Sequence, residues 1–451
     1  MNFLRRWWWP LFTFLYPFLF YPTLNRDLRW DYAVHAAFTA FFLVVGAFLE
    51  ALAHPQTRLH HLPRLGGWLW RRPVLLLAWL YALWALISTR FAVSPGFALL
   101  GSPEGLGDGA LWVVALVGVA TLVALRAEED PAVLPLTLRA LLLAGGLLTL
   151  LAFFEVATHK RVAGTLTGVL DPSVLPQVNF GSKGHLGGFL GLALGVALGS
   201  AWGVLALLLG FGVGLTYNRA SLVGLLLALG SAWAGKGTRA LRVFLLAFLG
   251  LLLGLGATRL FLPSGAKALA SPSSLEQRYY GWKATLRGIA ARPLFGFGAA
   301  GFHFQWPLYL EEEELRHFLR IMWGAEEVLS RGTNGQGMPV FVIRDQEGQV
   351  RILAVQGFKA HNEFLDQALL FGLPGAFLWL LLYLLALRRS WATPLGGGLL
   401  AYFGFLLFWY AVFYALGVLW VLLGLAAAQK APAPLKAGAH PPGGGQEKTQ
   451  A

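Results

Sequence analysis

Apolar runs long enough to cross a bilayer recur from the first residues almost to the last, and they constrain this chain more than any other feature. A membrane helix needs about 20 mainly apolar residues, and about twelve segments read near that length. They are residues 7–23, 32–54, 73–92, 110–126, 134–157, 184–199, 201–217, 219–234, 240–262, 362–387, 397–412 and 414–428. Turn residues alone set the cuts at Gly199-Ser200, at Tyr217-Asn218-Arg219 and near Trp409. Composition agrees. Charged residues make up 13% of the chain, against roughly 25% in a soluble domain, which is too few to coat a water-facing surface for 451 residues. The chain reads as an all-α polytopic membrane protein, which excludes a tethered soluble enzyme, a secreted domain and a disordered scaffold. Lys and Arg total 35 against 22 Asp and Glu, a net charge of +13. In this context the excess orients spans and gives no reason to expect nucleic acid. With no Cys, disulfides, thiol chemistry and Cys-ligated metal are excluded.

Basic residues near span ends stay cytoplasmic. One set of loops holds Arg5, Arg6, Arg58, Arg64, Arg71, Arg72, Arg126, Lys236, Arg239, Arg242, Arg388, Arg389, Lys430 and Lys436. The alternate loops are sparser, and Ser94 to Gly109 carries Glu104 and Asp108 with no basic residue. Both termini are therefore expected inside. Residues 1–262 hold nine spans, 263–360 form one long extracytoplasmic loop, 361–429 hold the last three, and 430–451 form a disordered cytoplasmic tail. Arg5 and Arg6 before an apolar run resemble a secretory signal. No small-residue cleavage site follows, so the run is expected to stay as a helix, with Trp7, Trp8 and Trp9 at its interface. In the long loop, Leu275 to Ala291 has helical periodicity and Glu311 to Arg320 reads as a charged helix. Val340 to Asp345 and Val350 to Val355 flank a turn, giving a small β-hairpin. Charge at mid-bilayer depth marks transporters, but Glu50, Arg139 and Glu155 fall near span ends here. Polar chemistry thus concentrates on the outer face.

Three basic residues there carry alternatives. Arg219, in Tyr217-Asn218-Arg219-Ala220-Ser221, opposes the charge bias and is either functional or an arginine snorkelling to headgroups. Arg278 begins Arg278-Tyr279-Tyr280-Gly281-Trp282, followed by Arg287 and by Arg292-Pro293-Leu294-Phe295-Gly296-Phe297-Gly298. A helix entering such a turn could aim Arg278 and the turn's backbone N–H groups at an anion. The other reading is an amphipathic helix on lipid, with Arg287 and Arg292 solvated. His361, before Asn362 and Glu363, is either catalytic or an interfacial hydrogen-bonded residue. The following run breaks at Gly372-Leu373-Pro374-Gly375, where proline removes a ladder hydrogen bond. There is no Walker loop, HExxH or dinucleotide fingerprint after a strand. Glu311 to Glu314 point around a helix and read as a solvated face, not a metal site.

Taken together, Ala360-His361-Asn362-Glu363-Phe364-Leu365 with Gly372-Leu373-Pro374-Gly375 resembles the loop-to-helix signature of the O-antigen ligase and polymerase superfamily. Arg278-x-x-x-Trp282 with the Pro293 to Gly298 turn resembles its second motif, Asn218 to Ser221 its first, and Arg161-Val162-Ala163-Gly164-Thr165 a further element. The likeness covers about residues 70–430. Two points depart from the pattern. The family's Pro-Asn pair is missing after Thr165, where Asn179 and Lys183 stand instead, and Ala220 replaces the commoner Gly.

The resemblance implies an inverting transferase without metal or cofactor at the outer face of a bacterial inner membrane. Its donor would be an undecaprenyl-diphosphate-linked glycan and its partners a lipid or glycan acceptor and the bilayer. On that basis Arg219 and Arg278 hold the diphosphate, since guanidinium forks grip its oxygens, and His361 removes the acceptor proton. A histidine beside two cations should be neutral. Arg161, Lys183 and Asn362 would support them. A ligase using a lipid A core is the first reading; a polymerase or a protein O-oligosaccharyltransferase shares the chemistry. A transporter of lipid-linked sugars is the alternative from another class.

Overall fold

The computed structural model describes residues 2–20, 28–53, 62–101, 109–163, 175–263, 273–299, 301–334, 339–354 and 359–429. In chain order its elements begin with α1 (Asn2–Leu15), α2 (Leu28–Ala53), α3 (Leu62–Trp70), α4 (Pro73–Thr89), α5 (Pro95–Leu100), α6 (Ala110–Glu129) and α7 (Val133–Thr158). There follow α8 (Lys183–Ser200), α9 (Gly203–Thr216), α10 (Arg219–Lys236) and α11 (Thr238–Phe261). The stretch between α11 and the last three helices supplies α12 (Ser273–Ala291), α13 (Gly301–Gln305), α14 (Glu312–Trp323), β1 (Ala325–Thr333), β2 (Pro339–Asp345) and β3 (Val350–Ala354). The chain closes with α15 (Glu363–Ser390), α16 (Pro394–Leu406) and α17 (Phe413–Ala428).

A helix falls on each apolar run read from the sequence, and among the described residues five are long and apolar enough to cross a membrane by length and composition. These are α2, α6, α7, α11 and α15. The weakly marked cuts are real helix ends: Ala201 and Tyr217 close α8 and α9 in the left-handed region, and the Asn218 side chain caps α10. Two features add to the sequence reading. The first helix begins at Asn2 and ends in a 3-10 turn at Tyr16–Phe18. Its tryptophans divide: Trp7 is exposed, Trp8 stacks on Phe42 and donates to its carbonyl, and Trp9 is core. The short helix α3 lies where none was expected.

Small residues let the central helices approach closely, as is usual where lipid supplies no hydrophobic drive between helices. Gly184, Gly188, Gly195 and Gly199 of α8 face Trp409, Phe405, Gly397 and Pro394 in turn, so α8 and α16 run antiparallel. On α10, Gly224 meets Ala401 and Gly235 meets Ala392, which makes α10 parallel to α8. The N-termini of α8 and α10 therefore share one end with the C-terminus of α16.

The opposite end collects the basic set. Arg5 pairs with Glu50 and Glu129, Arg6 with Asp130, Arg72 with Glu128, and Arg389 donates to the carbonyl of Ala427. Arg58, Lys430 and Lys436 lie outside the described residues.

The stretch from α12 to β3 has its own core of Phe297, Phe302, Trp306, Phe318, Phe341 and Ile343, which continues into Ala368 and Leu369 of α15. The expected helices and hairpin are present, and Val355 lies outside the described residues. The sheet has a third strand, β1, paired antiparallel to β2 with two register shifts. Glu311 and Glu314 form a capping box on α14 and pair with Arg287, while Lys283 also reaches Glu314. Burial alone would raise the Glu314 carboxyl, but the Arg287 and Lys283 cations hold it down at about 2. Arg287 is thus ion-paired, not simply solvated.

Candidate functional site

Three helix starts, the helix α12 and one interhelical loop deliver the candidate residues to the same end of the bundle. Lys183 opens α8 and Arg219 opens α10. Arg278 comes from α12 above them, and His361 precedes Asn362, the residue that caps α15. The loop 407–412 between α16 and α17 carries Trp409 and Tyr410 into their midst.

Trp409 is the hub. Its ring lies 5.2 Å from the Arg278 guanidinium carbon, a cation–π arrangement, and meets the His361 ring edge-on at 4.9 Å. Tyr410 stacks beside Trp409 and meets His361 at 5.1 Å. His185 contacts both rings, and the Lys359 ammonium sits 5.8 Å from the Tyr410 centroid. Gly184 makes room for the indole: a Cβ there would lie 2.7 Å from one ring carbon and closer to two others. The Asn218 amide donates to the Gly184 carbonyl at 2.9 Å, joining the starts of α8 and α10.

Three cations face one another. Lys183 lies within electrostatic reach of Arg219 and Arg278. Burial, and after it the Arg219 charge, pull the Arg278 guanidinium below its ordinary value. Among the described residues no carboxylate pairs with Lys183, Arg219 or Arg278, in contrast to the bonded arginines at the other end. A cluster of like charges without counterions is costly by itself and is complementary to an anion. Beside exposed Arg219, a cavity of about 190 Å³ runs between α9, α10 and α11, lined by Val213, Tyr217, Leu222, Leu251 and Leu255.

Burial beneath the aromatic rings, together with the Arg278 charge, takes His361 down to about 4 against the opposing pull of the Lys359 carbonyl. The imidazole is therefore neutral at physiological pH. Its Nδ1 is 3.2 Å from that carbonyl, which can only accept, so Nδ1 carries the proton and Nε2 holds the basic lone pair. The backbone at His361 is left-handed, with φ 58°, a sparsely populated region for a residue with a side chain. Buried carboxylates hold it there. Asp366 accepts from the Ala360 N–H at 2.8 Å, Trp282 donates to the Ala360 carbonyl, and Glu363 accepts from Ala411 N–H at 2.7 Å and from Gln367. Asn362 uses both ends of its amide internally, accepting from Leu365 N–H and donating to the Leu407 carbonyl. It positions His361 against the Trp409 loop.

One sequence expectation fails here. The Gly-rich turn does not offer its N–H groups to an anion: Phe297 and Gly298 donate to the carbonyls of Leu369 and Leu370, and Leu373 donates to Pro293. The run breaks within the expected Gly372 to Gly375 stretch: Gly372 leaves the helix at φ 73° and ψ 175°, which frees the Leu369 carbonyl, and Pro374, which has no N–H, leaves the Leu370 carbonyl without its helical donor. Arg161 donates to Gln177 at 2.9 Å in a loop organised by buried Glu155, which accepts from Val162, Gln177 and Val178. Gly164 and Thr165 lie outside the described residues.

Sequence reasoning missed Trp409, Tyr410, Lys359 and Arg259. Arg259 donates to the Tyr217 hydroxyl beside Arg219. The only signal for Trp409 and Tyr410 was an aromatic pair at a weak break between two apolar runs. Compared with known proteins, the chain matches no family model and shows significant similarity to no curated sequence.

Proposed function

We propose that this protein is a membrane glycosyltransferase of the O-antigen ligase kind, moving a glycan from a polyprenyl diphosphate to an acceptor hydroxyl. One observation carries the reading: Lys183, Arg219 and Arg278, unpaired with any carboxylate among the described residues, gather beside a neutral histidine. In this reading all twelve apolar helices cross the inner membrane of a bacterium, the basic end is cytoplasmic, and the site faces outward.

The donor's diphosphate lies between Arg219 and Arg278 with Lys183 behind it, and its isoprenoid tail enters the apolar cavity beside Arg219. The acceptor oxygen attacks the anomeric carbon as its bond to the phosphate oxygen breaks. The electron pair leaves on the diphosphate, and the acceptor proton passes to Nε2 of His361, with inversion at carbon. A charge pair at 4 Å is worth about 4 kcal/mol at an effective dielectric near 20, so the cations favour the leaving group as its charge grows. Bound diphosphate also offsets the cations' effect on His361 and strengthens it as a base.

Buried carboxylates support a transferase over a transporter. Glu155, Glu363 and Asp366 sit in the first or last turns at the site end and bind backbone N–H groups, not a mid-depth path. Ligase, polymerase and protein O-oligosaccharyltransferase differ in acceptor alone. The test is to incubate purified full-length protein with a synthetic polyprenyl-diphosphate sugar and, separately, a lipid A core, a second lipid-linked glycan and a Ser/Thr peptide, without ATP. Glycosylated product with matching release of polyprenyl diphosphate is expected with one of them, the ligase reading naming the first. No release with any of the three refutes the proposal.

A further inference from the structure

At the basic end, far from His361, α1 and α7 leave a groove of two joined chambers. The outer chamber, about 560 Å³, sets Asn2, Arg6 and Arg139 among apolar side chains. The inner one, about 620 Å³, is walled by Trp8, Leu11, Phe14 and Leu143. Phe3, Trp7, Leu136 and Arg139 line both, so the two chambers adjoin, with Asn2 and Arg6 confined to the outer one and the inner one almost wholly apolar.

Charge is not balanced around it. Among the described residues Glu50, Glu129 and Asp130 pair with Arg5, Arg6 and Arg126. Arg139 is the surplus cation. It is exposed on the second turn of an apolar helix, and among the described residues no carboxylate pairs with it. Arg6 uses Nε on Asp130 at 2.7 Å, which leaves its terminal nitrogens for the chamber. A bilayer seen from this position offers glycerophospholipids, whose phosphate suits a guanidinium fork and whose acyl chain suits the slot.

We propose that this groove binds one anionic glycerophospholipid of the adjoining leaflet, with its phosphate on Arg139 and Arg6 and one acyl chain along Trp7, Leu11, Phe14 and Leu143. Charge complementarity selects the anionic class: a zwitterionic headgroup would set its own cation against Arg139, whose charge no carboxylate offsets among the described residues. The proposal does not rest on the transfer reading, because it uses none of its residues.

Native mass spectrometry of the detergent-purified full chain, titrated with phosphatidylglycerol or phosphatidylcholine of identical acyl chains, tests it. One tightly retained phosphatidylglycerol is expected, preferred about fivefold over phosphatidylcholine, the effect of one arginine near a membrane surface. Arg139→Gln should abolish the preference while phosphatidylcholine retention, which also reports intact protein, is unchanged. Arg242→Gln, an exposed cation at the same end, should keep it. Leu136→Trp, which narrows the neck between the chambers without altering charge, should also abolish it and serves if Arg139→Gln does not fold. No preference in the wild type, or equal loss in Arg139→Gln and Arg242→Gln, overturns the proposal.

Discussion

A methyl group added at Gly184 tests how the bundle controls the site. Gly184 is buried on the first turn of α8, and the Cβ of an alanine would lie 2.7 Å from one carbon of Trp409 and closer to two more. The indole is rigid and packed against Tyr410 and Phe405, so it must shift as a unit. Overpacking of this kind costs about 1–3 kcal/mol. Because Trp409 touches both Arg278 and His361, that cost falls on their relative placement. Expressed in the transfer step it is about 5- to 150-fold in rate, within the range that a displacement near 1 Å produces. Single-turnover transfer from a synthetic polyprenyl-diphosphate sugar measures it, with a thermal-shift scan reporting stability. Trp409→Phe alone should cost about fivefold, through the lost cation–π surface. The smaller ring frees the collision, so Gly184→Ala in that background should add little, and the two changes are strongly non-additive. Wild-type transfer by Gly184→Ala, or simple additivity with Trp409→Phe, would refute the reasoning.

Two further expectations concern the histidine and the helix break. Burial and Arg278 lower His361 to about 4 in the folded protein, while an unfolded histidine binds its proton near 6.5; unfolded chain therefore takes up more protons between those values, and this residue's effect on stability worsens as pH falls from about 6.5 to about 4. For the same reason the acid limb of kcat/KM should lie near pH 4, and in Arg278→Gln it should move up towards the ordinary histidine range; a wild-type limb at 6.5 would contradict the site's electrostatics. Gly372→Ala forces a side chain into a glycine-only conformation and against the Leu294 carbonyl, so it should cost at least about 3 kcal/mol and release the Pro293 to Gly298 turn, read as faster amide exchange at Phe297 and Gly298. Unchanged exchange there would show that the turn does not depend on the break.

The helices were legible because apolar length and small polar caps are local properties. Asn218 and Asn362 stand one residue before helices that they cap, and the Gln346 to Gln349 turn joins two alternating strands. Strand β1 was not legible: it is a charged edge strand, exposed along most of its length and interrupted by two register shifts, so it lacks the alternation that marks a half-buried strand. Long-range partners were equally hidden. The sequence marks Phe297 and Gly298 as a turn but cannot say that their N–H groups are consumed by Leu369 and Leu370, because that pairing joins distant segments of the chain at the Gly372 to Pro374 break in α15. Of the six expected site residues, Lys183, Arg219, Arg278 and His361 converge, Asn362 acts on position, and Arg161 is engaged with Gln177. Trp409 escaped notice because an aromatic residue between apolar runs looks like lipid-facing surface until its neighbours are known.

Separating capture of the donor from its chemistry tests the central claim most directly. Binding of a sugar-free polyprenyl diphosphate and turnover of the complete donor would be measured in parallel on the wild type, His361→Ala, Arg219→Lys and Arg278→Gln. The account predicts that His361→Ala binds the diphosphate as the wild type does and transfers nothing, while both arginine variants bind at least about tenfold more weakly, since a point charge or an amide cannot replace the guanidinium fork. Wild-type turnover in His361→Ala, or undiminished binding in both arginine variants, would contradict it.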